Sequence, residues 1–365
     1  MTYNLPAQSE ELQAAMEEQA KAEEATGDSN GSSSAWIVKP VAACRGSGIS
    51  LHWSADGLPD EVSTRRGVAS MYVHPPYLVD HRKVDLRLYV LVTSWRPLVC
   101  YIHHQGLCRL ATEAYSLDEL DDTRKHLTNY AINKKSAAKA PSAAAVKAQA
   151  PSATSAPSSP KLVPAEAPIG APPADSSGPK IGLDAFREIL SADVGEGAAE
   201  RAWEGIDDAI VKTLIAAEAP MGQAVSTYIP KDGGKSFQLF GFDVMLSAGD
   251  LRPWVLEVNL DPSLATDAPL DLRVKGAVLT DLLNLLGVGA SGDEDGEDGA
   301  REEDTTVSEE EAEIIRRVDA EGRRARKTGW RRLHPSKISK QGRYAQYFDS
   351  GRVRLHTLPF AGCGD

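Results

Sequence analysis

Long apolar runs are missing from this chain. No stretch approaches the ~18 residues a membrane helix needs, and no apolar segment of signal-peptide type opens it. The sequence therefore predicts neither a secretory signal nor a membrane span. Cysteine is scarce: Cys44, Cys100, Cys108 and Cys363 form no C-x-x-C pair and share no His spacing. That pattern excludes a zinc site or a disulfide framework and reads as the reduced thiols of a cytosolic protein. A phosphate loop between strand and helix is also lacking, and no Ser-His-Asp arrangement is evident. Charge of one sign does not dominate. The net charge is -12, but residues 292–313 are an acidic block and residues 316–332 are strongly basic, so the total says little about partners. What remains is a chain of 365 residues and 42% hydrophobic content, enough for one large domain or two small ones.

The most informative stretch is Trp254 to Leu264. It begins as a strand and ends in a Pro turn. Strict alternation sends Trp254, Leu256 and Val258 to one face, expected to be the core face, and Val255, Glu257 and Asn259 to the other. The preceding strand, 237–246, joins it through a Ser247-Ala248-Gly249-Asp250 turn, and a hairpin of that length sets Asp243 opposite Glu257. Asp243, Glu257 and Asn259 then converge as oxygen ligands of the kind Mg²⁺ prefers when it keeps part of its shell for water and phosphate. The competing reading is a salt-bridged or solvated sheet face.

Along the chain, residues 9–24 read as a helix and 26–34 as a Gly/Ser/Asn linker. Trp36 to Pro40 is a short strand, followed by a Gly-rich turn and a second strand from Ile49. Backbone amides of such a loop can approach phosphate oxygens, with Lys39 and Arg45 beside Gly46 to neutralise charge; a plain hairpin turn is the alternative. Residues 83–92 form a strand with Lys83, Asp85, Arg87 and Tyr89 on one face, which is either a solvated ladder or a site. Residues 98–103 and 107–112 complete a meander around a His104-Gln105-Gly106 turn, with Arg109 in the last strand. Residues 136–180, rich in Ala, Pro, Ser and Lys, cannot bury enough surface to offset their ordering entropy and read as a disordered insertion. Helices are expected at 183–190, at 198–219 and at 271–286, the last packing Leu279, Leu282, Leu283 and Leu286 inward. A final Glu/Arg helix spans 308–327, and the Trp330 segment after it either meets an acidic polymer or packs back.

The order of these motifs resembles the tubulin tyrosine ligase-like enzymes, an ATP-grasp group. The matching segments are Trp-Ile-Val-Lys-Pro (36–40), Arg-Gly-Ser-Gly-Ile (45–49), Lys-Val-Asp-Leu-Arg-Leu-Tyr-Val-Leu-Val-Thr-Ser (83–94), His-Leu-Thr-Asn-Tyr (126–130) and 240–287. The polyglutamylase branch is the nearest in look. The resemblance implies an α/β (α+β) ATP-grasp fold of antiparallel sheets and flanking helices. It divides the chain into an N-terminal helix and linker (1–35), a first ATP-grasp part (36–136), the insertion (137–180), a second part with the metal site (181–287), an acidic linker (288–307) and a basic helix with tail (308–365).

Site roles follow from the same resemblance. Lys39, Arg45 and Gly46 would hold ATP phosphates, Ser70, Met71, Tyr72 and Val73 the adenine side, and Lys83, Asp85, Thr128 and Asn129 the rest of the nucleotide. Asp243, Glu257 and Asn259 would bind Mg²⁺. Arg109, Tyr130 and Lys275 would bind the incoming amino acid, and Arg87 would serve in the catalytic cleft beside Glu257. The implied activity is ATP-dependent addition of L-glutamate to glutamate side chains of tubulin tails, by a monomer of the cytoplasm and cytoskeleton, including the cilium or basal body, with no nucleic-acid or membrane partner. Departures from the family pattern are the few residues ahead of Leu5-Pro6, Ala131 in place of Ser, Asp261 in place of a small polar residue, and the Ala/Pro/Ser tract. A non-catalytic microtubule-associated remnant and a glycine-adding enzyme are the alternatives.

Overall fold

A computed structural model of the chain describes residues 1–26, 35–41, 47–54, 66–128, 180–229, 236–288, 308–336 and 343–348. The expectations for Arg45, Gly46, Asn129, Tyr130 and Ala131, for the Ala/Pro/Ser tract up to 179 and for the acidic linker lie outside the described residues. The chain divides into two compact units that interleave in sequence, Met1–Tyr72 with Ala111–Pro173, and Val73–Leu110 with Ala174–Asp365.

The first unit carries strands β1 (Thr2–Leu5), β2 (Trp36–Pro40), β3 (Ser50–His52) and β4 (Gly67–Met71) in one antiparallel sheet of order β1-β4-β2-β3. Helix α1 (Ser9–Thr26) has few apolar residues, but Leu12 and Met16, one turn apart, pack on Leu5, Trp36, Val38 and Ala69. The indole N–H of Trp36 donates to Gln19 on the same helix at 3.0 Å, so the buried ring is satisfied as well as packed. On the other face Ala35, Ile37, Leu51 and Tyr72 meet Tyr115, Leu117 and Leu120. Helix α2 (Thr123–His126) starts where the Asp122 side chain accepts the Arg124 N–H.

The second unit is built on a larger antiparallel sheet. Its path is β10 (Pro253–Asn259), β9 (Gln238–Leu246), β6 (Arg82–Trp95), β7 (Leu98–Leu110) and β11 (Trp330–His334), with β5 (Leu78–Val79) beside β6 and β8 (Lys180–Gly182) beside β7. Both faces are covered, which explains the near-continuous hydrophobic run of β6. Val84, Leu86, Leu88, Val90 and Val92 face α3 (Leu183–Val194) and α4 (Glu196–Tyr228) through Phe186, Leu190, Ile206, Ile210 and Leu214. Tyr89 and Leu91 face α5 (Pro269–Leu286) and α6 (Glu309–Ala325) through Val274, Val278, Leu282, Ile315 and Val318. A full capping box at Ser308 and Glu311 opens α6.

Several expectations are corrected here. The His104-Gln105-Gly106 turn does not exist: β7 runs unbroken, with a register break opposite β6 where Leu88 pairs with Gly106 and Val90 with Ile102. One long strand is retained because β11 holds its first half and β8 its second. In α5 the inward stripe is Val274, Val278, Leu282 and Leu285, while Leu279 and Leu283 are exposed and Leu286 is only partly buried. The Leu-rich tail of that helix supplied two possible stripes, and the Val positions decide between them. Helix α4 continues past Ala219 through Pro220 to Tyr228, with Pro220 on the solvent side and Gly222 on the buried side, where a Cβ would press on the Arg96 side chain.

β10 does not bury Trp254 and Val258; both are exposed, and Val255 packs on the core instead. β10 sits at the sheet edge, and its register with β9 shifts between Val255 and Glu257. Leu256 is thus an extra residue, so Val255 follows its partner Val244 to the core face and Glu257 follows Asp243 to the opposite one. The Trp330 segment packs back. Trp330 is buried in the α5–α6 core, Arg331 pairs with Asp207 at 2.8 Å, and Arg332 donates to the Val318 carbonyl.

Candidate active site

The second unit concentrates charge on the β6 face that also carries Tyr89. Lys83 and Asp85 are buried and the Arg87 side chain is only 13% exposed, so this row is no solvated ladder. Cross-strand register explains how buried charge is tolerated there. Asp85 lies opposite Arg109 of β7, Arg87 opposite Asp243 of β9, and Asp243 opposite Glu257 of β10. The Arg87 guanidinium reaches both Asp243 oxygens, at 2.6 and 3.0 Å, and Arg109 bridges Asp85 at 2.5 Å and Asp243 at 2.7 Å. Gly241 helps to set this arrangement, because a Cβ there would press on Arg87 and Pro262.

Asp243 is under opposed influences. Burial works to raise its carboxyl, but Arg109 and Arg87 outweigh that and hold it at about 2. Arg109 is likewise burdened by burial and still held firmly protonated by Asp85 and Asp243. The Asp243 and Glu257 side chains are within hydrogen-bonding contact, and the Asn259 amide lies 3.3 Å from Glu257. Two abutting carboxylates need a proton or a cation between them, and with an amide oxygen available the set fits a hard divalent ion that keeps water and phosphate oxygens. Among the described residues no group of three or more His, Cys, Asp or Glu could hold a metal.

A second cluster lies on the same unit. Lys275 of α5 and Lys180 of β8 both bind Asp271, at 3.1 and 3.0 Å, and Lys275 also donates to the Ala265 carbonyl. Asp271 is fully buried and Lys275 nearly so. Sequence reasoning named Lys275 but missed Lys180 and Asp271. Lys180 closes a Lys-bearing low-complexity tract, and its only signal was the apolar Ile181 that follows.

Other expected residues lie in the first unit. Lys39 is half-buried on β2 beside Val68 of β4; Ser70 and Met71 end β4, and Tyr72 is buried against His126. Thr128 is buried. Val73 opens the second unit. The structure therefore brings together Asp85, Arg87, Arg109, Asp243, Glu257 and Asn259, and separately Lys275 with two partners that were not foreseen.

The profile of the Tubulin-tyrosine ligase family matches residues 1–155 and 176–295. The chain is 36% identical over 255 residues to Tubulin polyglutamylase TTLL5 of Homo sapiens, covering 69% of this chain and 17% of that protein. It is 37% identical over 255 residues to Tubulin monoglutamylase TTLL4 of Homo sapiens, covering 69% and 18%, and 35% identical over 260 residues to Tubulin polyglutamylase TTLL6 of Mus musculus, covering 70% and 27%. The chain spans about a sixth to a quarter of the length of these curated relatives.

Proposed function

The chain belongs to the tubulin-tyrosine ligase family, and on that premise we propose that it is an ATP-dependent ligase joining glutamate to glutamate side chains of tubulin tails on the cytoskeleton. One observation carries the reading: Asp243, Glu257 and Asn259 meet on neighbouring strands with Arg87 and Arg109 packed against them. That is an anion-and-cation set suited to a metal–phosphate group, in a chain whose relatives are glutamylases.

The chemistry requires activation, because a carboxylate is a poor electrophile. The acceptor carboxylate attacks the γ-phosphorus of ATP, the bond to ADP breaks, and an acyl phosphate results. The donor amine then attacks that carbonyl, loses a proton, and inorganic phosphate leaves. When bound at Asp243, Glu257 and Asn259, Mg²⁺ supplies charge neutralisation on the transferring phosphate. The protein's own part is positioning. Lys83 supplies a cation for phosphate, Arg87 fixes Asp243 for its ligand role, and Arg109 adds positive charge for a donor carboxylate while it holds Asp85 and Asp243. The Lys180–Lys275 pair, two ammonium groups on one carboxylate, favours a donor with a side-chain carboxylate over glycine. Leaving such a cation unmatched costs about 1–3 kcal/mol, a preference of roughly tenfold or more. The acceptor's acidity suits the outward side of α6 and the turn after it, where Arg316, Arg323, Arg326 and Lys327 are exposed.

The test is mass spectrometry of tubulin after incubation with protein, ATP and an equal mixture of isotopically labelled glutamate and glycine. Glutamate adducts on tail peptides are expected. Preferential glycine adducts overturn the donor, and no adduct with active tubulin and nucleotide overturns the ligase reading in favour of a non-catalytic binding protein.

A further inference from the structure

Among the described residues the buried hydroxyl of Tyr89 has no hydrogen-bond partner. Tyr89 lies on β6 two residues beyond Arg87 and on the same face, with its residue fully buried. It belongs to the buried apolar cluster that includes Leu270 and Val274 of α5. Its hydroxyl lies in the field of Arg87, Asp271, Arg109 and Asp243. Tyr89 thus shares the β6 face with the Arg87–Asp243–Arg109 group and an apolar cluster with α5, the helix that carries Asp271 and Lys275, and bonds to neither ionic group.

An orphaned hydroxyl is a cost that Phe at the same position would avoid while filling the same space. The neighbours indicate what the hydroxyl awaits. Both carboxylates nearby are already held by cations, Asp243 by two guanidiniums and Asp271 by two ammonium groups. In these contacts four cations, Arg87, Arg109, Lys180 and Lys275, serve three carboxylates, Asp85, Asp243 and Asp271. The missing partner is an acceptor with negative charge, small enough to reach a buried position. Burial also holds the phenol at about 12, so it stays protonated and can only donate to an anion.

We propose that Tyr89 is a specificity-determining residue whose O–H donates to a carboxylate of the incoming amino acid, bridging the arginine and lysine clusters when the donor is bound. This rests on the ligase reading above, and it adds a neutral donor that discriminates by geometry to cations that attract by charge. A hydrogen-bonding site rejects a ligand that leaves its polar group unpaired more strongly than an apolar pocket does.

Tyr89→Phe removes one oxygen and keeps the ring, and is expected to fold with an unchanged or slightly higher Tm. Its KM for glutamate should rise about tenfold or more, with KM for ATP within twofold of wild type. A purely packing role would move neither KM. Binding is read separately, from thermal shifts with glutamate, aspartate, glutamine and glycine in the presence of Mg²⁺ and a non-hydrolysable ATP analogue. If wild type is stabilised by one of these and Tyr89→Phe is stabilised less, the assignment of Tyr89 is supported whichever amino acid it is, and the glutamate reading is judged on identity alone. Equal stabilisation of both proteins, or an unchanged KM for glutamate, overturns the assignment of Tyr89 while leaving the ligase reading intact. Ligation activity without any amino-acid-dependent difference between the two proteins overturns it equally.

Discussion

Asp243 and Glu321 are both buried carboxylates held against the same large sheet, and their protonation is pushed in opposite directions. Burial disfavours the charged form of each. Around Asp243 two guanidiniums more than repay that penalty and hold it at about 2. Around Glu321 the close partners are hydroxyls, Thr93 at 2.8 Å and Tyr101 at 3.4 Å, with Arg317 and Arg324 acting through weaker attraction. Burial prevails there, and the carboxyl is raised above its ordinary value of 4.5. Direct cations keep a buried carboxylate ionised, whereas hydroxyl partners leave burial to raise it.

Breaking the first arrangement should have the largest effect. Arg87→Met leaves Asp243 with one guanidinium instead of two in a buried setting, and is expected to cost about 3–5 kcal/mol in a denaturant titration. Ligation should fall with it. Glu257→Gln sharpens the same comparison, because it removes one of two abutting charges without changing shape. Ligation should drop about 100-fold, with little change in Tm. A purified Glu257→Gln protein of wild-type activity would remove the metal assignment.

Acid provides the next test. Because the folded pKa of Asp243 is lowered, its stabilisation is complete above the unfolded value near 3.8 and is lost as pH falls through the folded value of about 2. The shift corresponds to about 2 kcal/mol. Stability measured by denaturant from pH 5 to pH 2 should fall with this component present in wild type and absent in Asp243→Asn. Equal slopes for the two proteins would mean that the guanidiniums do not control this carboxylate.

The pairing of Asp243 with Glu257 was legible in the sequence because a turn of fixed length and the two-residue period of strands set it. The face of β10 was not. One extra residue at Leu256 reverses the alternation, and nothing in a run of apolar residues announces a bulge. Lys39, Lys83 and Asp85 could be named from motif order, but the buried ion pairs of Asp85 with Arg109 and of Asp271 with Lys180 join residues 24 and 91 positions apart. Register across β6–β7 made the first pair discoverable. The second required knowing that β8 lies beside β7, which a three-residue strand after a low-complexity tract does not signal.

The smallest expected effect comes from the other carboxylate. Glu321 has a raised folded pKa, so its cost to stability is absent below the unfolded value near 4.5 and grows as pH rises through the folded one. Glu321→Gln removes the charge and keeps an oxygen that can accept from Thr93 and Tyr101. The gain is limited, because the new amide N–H groups face donors on Arg317 and Arg324 instead of acceptors. At neutral pH the variant should be more stable by at most about 1 kcal/mol, a rise of roughly 2–4 °C in Tm. Below pH ~4.5 the two proteins should melt together, because wild type then carries a protonated carboxyl of nearly the same shape. The same change at Asp243 should lower stability at neutral pH, so the two substitutions have opposite signs on one sheet. A loss of stability in Glu321→Gln at neutral pH would make Glu321 a true counter-ion of Arg317 and Arg324, and the two carboxylates would then differ in strength of pairing and not in kind.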